Sequence, residues 1–386
     1  MGQNDNDVMT KLNENKIPQF YETEISYVDF FQNFLKANAP CIIKNVALNW
    51  YSTQLWTSSK KPCFEYLRNK YGTSNVTVYK CNEKYFNSQP TLDMRFEEYI
   101  NYWKNYIDND YSADLPLYYL KDWHLKNEYK NDNFYEVPKF FSSDWLNEYL
   151  TNFNKDDYRF VYMGPKGSWT PFHQDVFASY SWSVNICGKK KWILFPPGEQ
   201  KKLCDKFGKL PHTIDIVPTN VNYYEVIQDE GDAIFVPSGW HHQVWNLDDT
   251  ISINHNWVNG CNVKLIWDAL KFNHDCVKKE ISDCLEMENY SEQCQLLLKI
   301  TFGIDFEEFF RFLEYIASKR LESFSQIKNN KTTSSSWHLI FDLRSVGEVL
   351  TLLKEFKDLE SGTNLIKLKN DASVVIEKIF CKIRKK

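Results

Sequence analysis

Thr170-Pro171-Phe172-His173-Gln174-Asp175 is followed further along the chain by Gly231-Asp232-Ala233-Ile234-Phe235-Val236-Pro237-Ser238-Gly239-Trp240-His241-His242. His173 and Asp175 are two positions apart, so on a β-strand both side chains leave the same face. Gly231-Asp232 is a turn signal, and the apolar run after it reads as a strand that brings a histidine to a neighbouring position. His241 and His242 are adjacent and must face opposite ways; the reading takes His242 and keeps His241 as the alternative. Two imidazoles and one carboxylate on one face form the 2-His-1-carboxylate arrangement that holds a non-haem Fe(II) and leaves positions open. An isolated His-x-Asp would be weak grounds, but the conjunction of the two stretches points to an oxygenase.

Around these motifs, Tyr158 to Trp257 is a series of short runs rich in β-branched and aromatic residues. Gly164-Pro165, Pro196-Pro197 and Pro237-Ser238-Gly239 punctuate them, which is the signature of a barrel or sandwich. Within it lies Lys189-Lys190-Lys191, where alternation turns one lysine inward and leaves Lys189 and Lys191 in solvent. Trp182, Trp192 and Trp240 read as core.

Before this region the elements are mixed. Ser26 caps a helix that runs to Leu35 and is stopped by Pro40; Cys41-Ile42-Ile43-Lys44, Val76-Thr77-Val78-Tyr79 and Leu115 to Leu120 read as strands, and Met94 to Trp103 as an amphipathic helix. Beyond about Asn262 the pattern is helical. Asp305 caps a helix whose apolar residues 306, 309, 310, 313 and 316 share one face, and the polar run Lys328 to Ser336 reads as an exposed loop.

Composition sets the bounds. With 386 residues, 43% hydrophobic and 25% charged, the chain can bury a sizeable core, and 16% aromatics including 13 Trp suit packed sheets and deep pockets. A net charge of -5 and a pI near 6.0 give no global attraction to nucleic acid or anionic membrane. Met1 to Lys16 is polar, with no apolar core of a signal peptide, and no stretch has the length of a membrane span, so the expected location is intracellular. Ten cysteines occur with no Cys-x-x-Cys pair, which fits reduced thiols. His274, Cys276, Cys284 and Cys294 match no familiar zinc spacing and read as packed side chains.

Three features stand together here: Thr170-Pro before His-x-Asp, Gly188-Lys189-Lys190-Lys191-Trp192-Ile193-Leu194-Phe195-Pro196 after it, and Gly-Asp-x-x-Phe-Val-Pro before the last histidine. The combination resembles the JmjC-type 2-oxoglutarate oxygenases, strongly over Tyr158 to Trp257 and more weakly at Pro40 to Ile43 and Pro116 to Tyr118. The runs Tyr118 to Leu125, Phe160 to Pro165 and Ser181 to Asn185 look most like the JmjC domain-containing protein 4 branch, known as lysyl hydroxylases of a translation termination (release) factor. The resemblance implies an α+β fold with a double-stranded β-helix, jelly-roll or cupin-like core. Residues 1–150 would be an N-terminal α/β region, 151–260 the core and 261–386 a helical region.

The resemblance also implies residue roles. Fe(II) would sit on His173, Asp175 and His242; Lys190 would meet the distal carboxylate of 2-oxoglutarate, with Thr170 and Tyr118 as hydroxyl donors to it. Asn254 stands where relatives place a polar cosubstrate contact, and Ser183 where some carry Asn. The implied reaction couples decarboxylation of 2-oxoglutarate with O2 to hydroxylation of a protein side chain in the cytoplasm, with ascorbate supportive in vitro. Two other readings stand beside it: an N-methyl-lysine demethylase, whose members typically carry Glu in the metal motif and added zinc fingers, and a non-catalytic cupin-like binding module.

Overall fold

The computed structural model describes residues 16–86, 88–330, 336–360 and 363–384. The polar start up to residue 15, and residues 331–335 of the expected loop, lie outside the described residues. The chain groups into two compact units: 1–142, 156–175 and 180–256 in one, and 143–155, 176–179 and 257–386 in the other.

The first unit is built on two facing sheets. In spatial order the larger holds Gln19–Tyr21, Cys41–Lys44, Ala233–Val236, Tyr180–Cys187, Thr250–Trp257, Arg159–Gly164, Tyr118–Trp123, Asn75–Lys80 and Thr91–Arg95. The smaller holds Tyr224–Gln228, Lys190–Phe195, His241–Asn246 and Trp169–His173. Alternation along each strand sends one set of side chains between the sheets. Ile42, Ile234 and Val236 of the larger sheet meet Trp192, Leu194, Val226, Trp240 and Val244 there, all buried. On the opposite face of the larger sheet, Trp182 stacks on Phe141 at 5.6 Å between ring centroids, and Phe235 meets Phe30 at 5.9 Å. This is an α+β jelly roll with one end of its interior apolar, and all three tryptophans read as core are buried.

Several element bounds differ from the sequence reading, each for a local reason. Ser26 Oγ accepts from Asp29 N at 3.1 Å as a cap, but the helix it opens is α-helical only over Tyr27–Phe30 and continues as a π-helix over Phe31–Lys36. That wider turn buries Phe30, Phe31, Phe34 and Leu35 together. Met94 and Arg95 end a strand, and the helix runs Phe96–Asp108, fixed where Glu98 Oε2 accepts from Arg95 N at 2.9 Å. The strand expected from Leu115 starts at Tyr118, because Pro116 has no N–H to give to a ladder.

The second unit is helical: Trp145–Asn152, Val263–Glu280, Tyr290–Phe302, Phe306–Asn330, Ser336–Glu355 and Thr363–Ile383. Asp305 Oδ1 accepts from Glu308 N at 2.8 Å, and residues 306, 309, 310, 313 and 316 are all buried, as the periodicity requires. The helix reaches Asn330, so residues 328–330 are not loop. A half-buried network joins its helices: Arg320 forks onto Glu148 at 2.8 and 3.1 Å and reaches the buried Asp342, which also accepts from Trp145 Nε1. Among the described residues no helix is long and apolar enough to cross a membrane.

Gly303 ends Tyr290–Phe302 at φ 102°, in the left-handed region, and a Cβ there would stand 2.5 Å from the Phe177 ring. Gly303→Ala is therefore expected to lower stability by about 1–3 kcal/mol in urea unfolding; an unchanged midpoint would contradict this packing.

Candidate active site

Strand pairing brings the two quoted motifs together. His242 lies opposite His173 across the antiparallel ladder, and their rings are 4.3 Å apart between centroids. The register slips between His242 and Val244, so Val244 faces Thr170. One extra residue is thereby accommodated, and Thr170 shares a face with His173 despite their odd spacing. Ligand atoms of His173, Asp175 and His242 all lie within 4.8 Å of one another, close enough to share one cation.

Their orientation is set from behind. His173 Nδ1–H donates to Pro171 O at 2.8 Å and His242 Nδ1–H to Trp240 O at 3.0 Å. A carbonyl can only accept, so each ring carries its proton on Nδ1 and offers the Nε2 lone pair to a metal. Ser181 Oγ donates to Asp175 Oδ2 at 2.7 Å, leaving the other carboxylate oxygen free to turn. Burial, with the neighbouring His242, holds the His173 pKa down to about 4, so this imidazole is neutral at physiological pH. His241 points the other way, against Phe172 at 5.4 Å, on the outer face where Phe172 and Phe195 cluster. It does not join the group.

Beside these three residues lies a polar recess. Lys190 is 2% exposed, whereas Lys189 and Lys191 pair at the surface with Asp229 and Glu225. Lys190 Nζ donates to Ser252 Oγ at 2.7 Å and stands 3.4 Å from the Tyr119 hydroxyl. Among the described residues no carboxylate neutralises it, and burial alone pushes its pKa down to about 7. A buried ammonium without a counter-charge is costly, and a dianion entering the recess would relieve it. Asn254 lies beside Ser252, with Nδ2 3.2 Å from Oγ. Ser183 Oγ is buried on the inward face, opposite Ile234, without a hydrogen-bond partner. Thr170, Lys190, Asn254 and Ser183 thus line the interior. Tyr118 does not: it is the neighbour, Tyr119, that faces Lys190, while Tyr118 packs on Tyr102 at 4.6 Å. Strand alternation makes the two exclusive. Ser252, Ser181 and Tyr119 are additions to the expected set. The first lies two positions before Asn254, on the same face.

The donor set and the recess fit a ferrous ion and a dicarboxylate. Comparison with known proteins points the same way. The Cupin-like domain family matches residues 27–262. The chain is 45% identical over 363 residues to the chicken 2-oxoglutarate and iron-dependent oxygenase JMJD4, covering 87% of this chain and 85% of that one. It is 42% identical over 350 residues to the human protein of the same name, covering 87% and 84%. This chain belongs to the JMJD4 family. The family's cofactor is Fe(II), with 2-oxoglutarate and O2 consumed. The Arabidopsis "Arginine-specific demethylase JMJ20" is 36% identical over 361 residues, covering 85% and 77%. Elsewhere, His274 is grouped with Asp275 and Asp358 and not with cysteines; Lys278 Nζ already meets Asp358 at 2.7 Å, which leaves that group a poor metal site for a JMJD4-type chain.

The geometry separates the adjacent histidines. His242→Ala is expected to abolish Fe(II) or Mn(II) binding in calorimetry, and His241→Ala to keep it within about threefold, since only the former removes a ligand. Equal loss in both would contradict the facing of the strand.

Proposed function

We propose that this chain is an Fe(II)- and 2-oxoglutarate-dependent hydroxylase of a protein lysine, with a cytoplasmic translation release factor as its substrate. The observation that carries the reading is the pairing of a three-ligand metal face with a buried, unneutralised ammonium. The likeness of Tyr118 to Leu125 and Phe160 to Pro165 to the lysyl-hydroxylating branch supports the choice of substrate. In this reading His173, Asp175 and His242 would hold iron, as three protein ligands that do not fill its coordination. Lys190, with Tyr119, Thr170 and Ser252, binds and orients the distal carboxylate of 2-oxoglutarate, and Asn254 and Ser183 border the same recess. When bound, iron with 2-oxoglutarate and O2 supplies the oxidising power: the cosubstrate leaves as succinate and CO2, and a substrate C–H becomes C–OH. The apolar wall of Trp192, Leu194 and Val244 keeps water from the inner end.

The relative named as an arginine-specific demethylase gives a competing outcome in one experiment. Incubation of the iron-loaded protein with cell extract and 2-oxoglutarate, followed by mass mapping, is expected to show one added oxygen on a lysine of a release factor. Loss of methyl groups with release of formaldehyde would instead support demethylation. No modified protein and no succinate above background would support a binding module.

Lys190 makes the cosubstrate step sensitive to pH. With its folded pKa down at about 7, the ammonium is present below that pH and lost above it, so affinity for 2-oxoglutarate weakens as pH rises from 7 to 9. At pH 8, binding should take up close to one proton, read as a dependence of calorimetric heat on the buffer's ionisation enthalpy; at pH 6 it should take up almost none. Lys190→Met is expected to abolish the uptake and raise the half-saturating 2-oxoglutarate at least about tenfold. Proton uptake unchanged in that variant would remove Lys190 from this role.

A further inference from the structure

The ladder between Tyr118–Trp123 and Arg159–Gly164 contains an irregularity that the metal and cosubstrate readings leave unused. Leu120 lies opposite Met163 and Trp123 opposite Val161, so Lys121 and Asp122 together oppose the single residue Tyr162. This bulge turns both side chains toward the face that Tyr162 occupies. Asp122 reaches it through φ 58°, a left-handed conformation rare for aspartate outside turns. Its carboxylate is then held at both ends: Tyr162 Oη donates to Oδ1 at 2.6 Å and Tyr79 Oη to Oδ2 at 2.7 Å.

Tyr162 connects this carboxylate to the reaction centre. Its ring centroid is 5.7 Å from Lys190 Nζ and 6.0 Å from the Tyr119 ring. The charge of Asp175 is among the causes that raise its phenol pKa, after burial and Asp122. Asp122 itself is exposed and lines an open pocket of about 470 Å3 with Tyr79, Lys121, Trp123, His124 and Glu128. Lys121 feels the Asp122 charge but makes no ion pair with it. That ammonium is buried, donates to Gln89 Oε1 at 3.0 Å and lies 4.1 Å over the Tyr79 ring; among the described residues Asp122 is in no ion pair. A carboxylate that accepts one phenol per oxygen keeps a lone pair on each for a further donor. Two phenol rings beside it suit a cationic head on an apolar stem.

We propose that Asp122, positioned by Tyr79 and Tyr162, is the specificity-determining group that receives the ammonium of the substrate lysine in this open pocket, which Tyr162 links to the reaction centre. This rests on the lysyl-hydroxylase reading above and adds to it the residue that recognises the side chain. A strained, bulged backbone is a costly way to hold two tyrosines; it is an apt way to present a fixed anion beside a reaction centre.

The test uses the full chain loaded with Fe(II) and 2-oxoglutarate without O2. The probes are Nα-acetyl-lysine methylamide and its uncharged norleucine analogue, with binding read by NMR titration. The wild type is expected to bind the lysine probe about tenfold or more tightly than the norleucine probe. Asp122→Asn, which still accepts from a phenol, should erase that preference while leaving affinity for 2-oxoglutarate unchanged, and Asp122→Glu should restore part of it. A wild type without preference, or an Asp122→Asn protein that keeps it, overturns the assignment. Preference abolished in Asp122→Asn, in an enzyme that hydroxylates no lysine in extract, would sink the proposed function and leave this recognition role standing.

Discussion

Everything in the site depends on one cross-strand pairing, His242 opposite His173. Two imidazoles from distant sequence positions share a face only if both strands hold their register, because a slip of one residue would send either ring out of the interior. The slip that does occur, between His242 and Val244, is confined to the Thr170–His173 side and brings Thr170 inward without moving the ligands. Carbonyls of Pro171 and Trp240 then fix both tautomers from two residues earlier in the chain. Ligand identity, ring orientation and protonation are thus consequences of local backbone geometry.

The same interior holds a second constraint of opposite kind. An apolar wall of Trp192, Leu194, Val226 and Val244 occupies the space between the sheets, yet Lys190, on the strand that contributes Trp192 and Leu194, is buried among hydroxyls. Folding tolerates this because the lysine can shed its proton, and binding of a dianion restores it. In the proposed role, stability and cosubstrate affinity would be opposed at this one residue, because the cost of burying an unneutralised ammonium is what a bound dianion would relieve.

Much of this was legible in the residues themselves. The shared face of His173 and Asp175, the opposite facing of His241 and His242 and the inward turn of one lysine among Lys189, Lys190 and Lys191 follow from period-two alternation, whereas the resemblance to the JmjC-type oxygenases singles out His242 and Lys190. Alternation failed where the backbone is irregular or an end is displaced. The family resemblance points to Tyr118, but on this strand it is Tyr119 that reaches Lys190, while Tyr118 packs on Tyr102. The bulge at Lys121 and Asp122 has no sequence signal, since neither residue is glycine. Met94 and Arg95 fit a helical pattern, yet pairing with Asn75 and Val76 draws them into a strand. Ser181 and Ser252 could be found only once the facing strands were known, because a serine's role is set by what lies opposite.

The central claim is that three side chains and a buried lysine together hold a 2-oxoacid on iron, and the most direct measurement is visible absorption of the anaerobic Fe(II) protein titrated with 2-oxoglutarate. The account predicts a saturable charge-transfer band, as expected if the 2-oxoacid binds to a ferrous ion held by His173, Asp175 and His242. Stoichiometric iron with no such band at any 2-oxoglutarate concentration would contradict it.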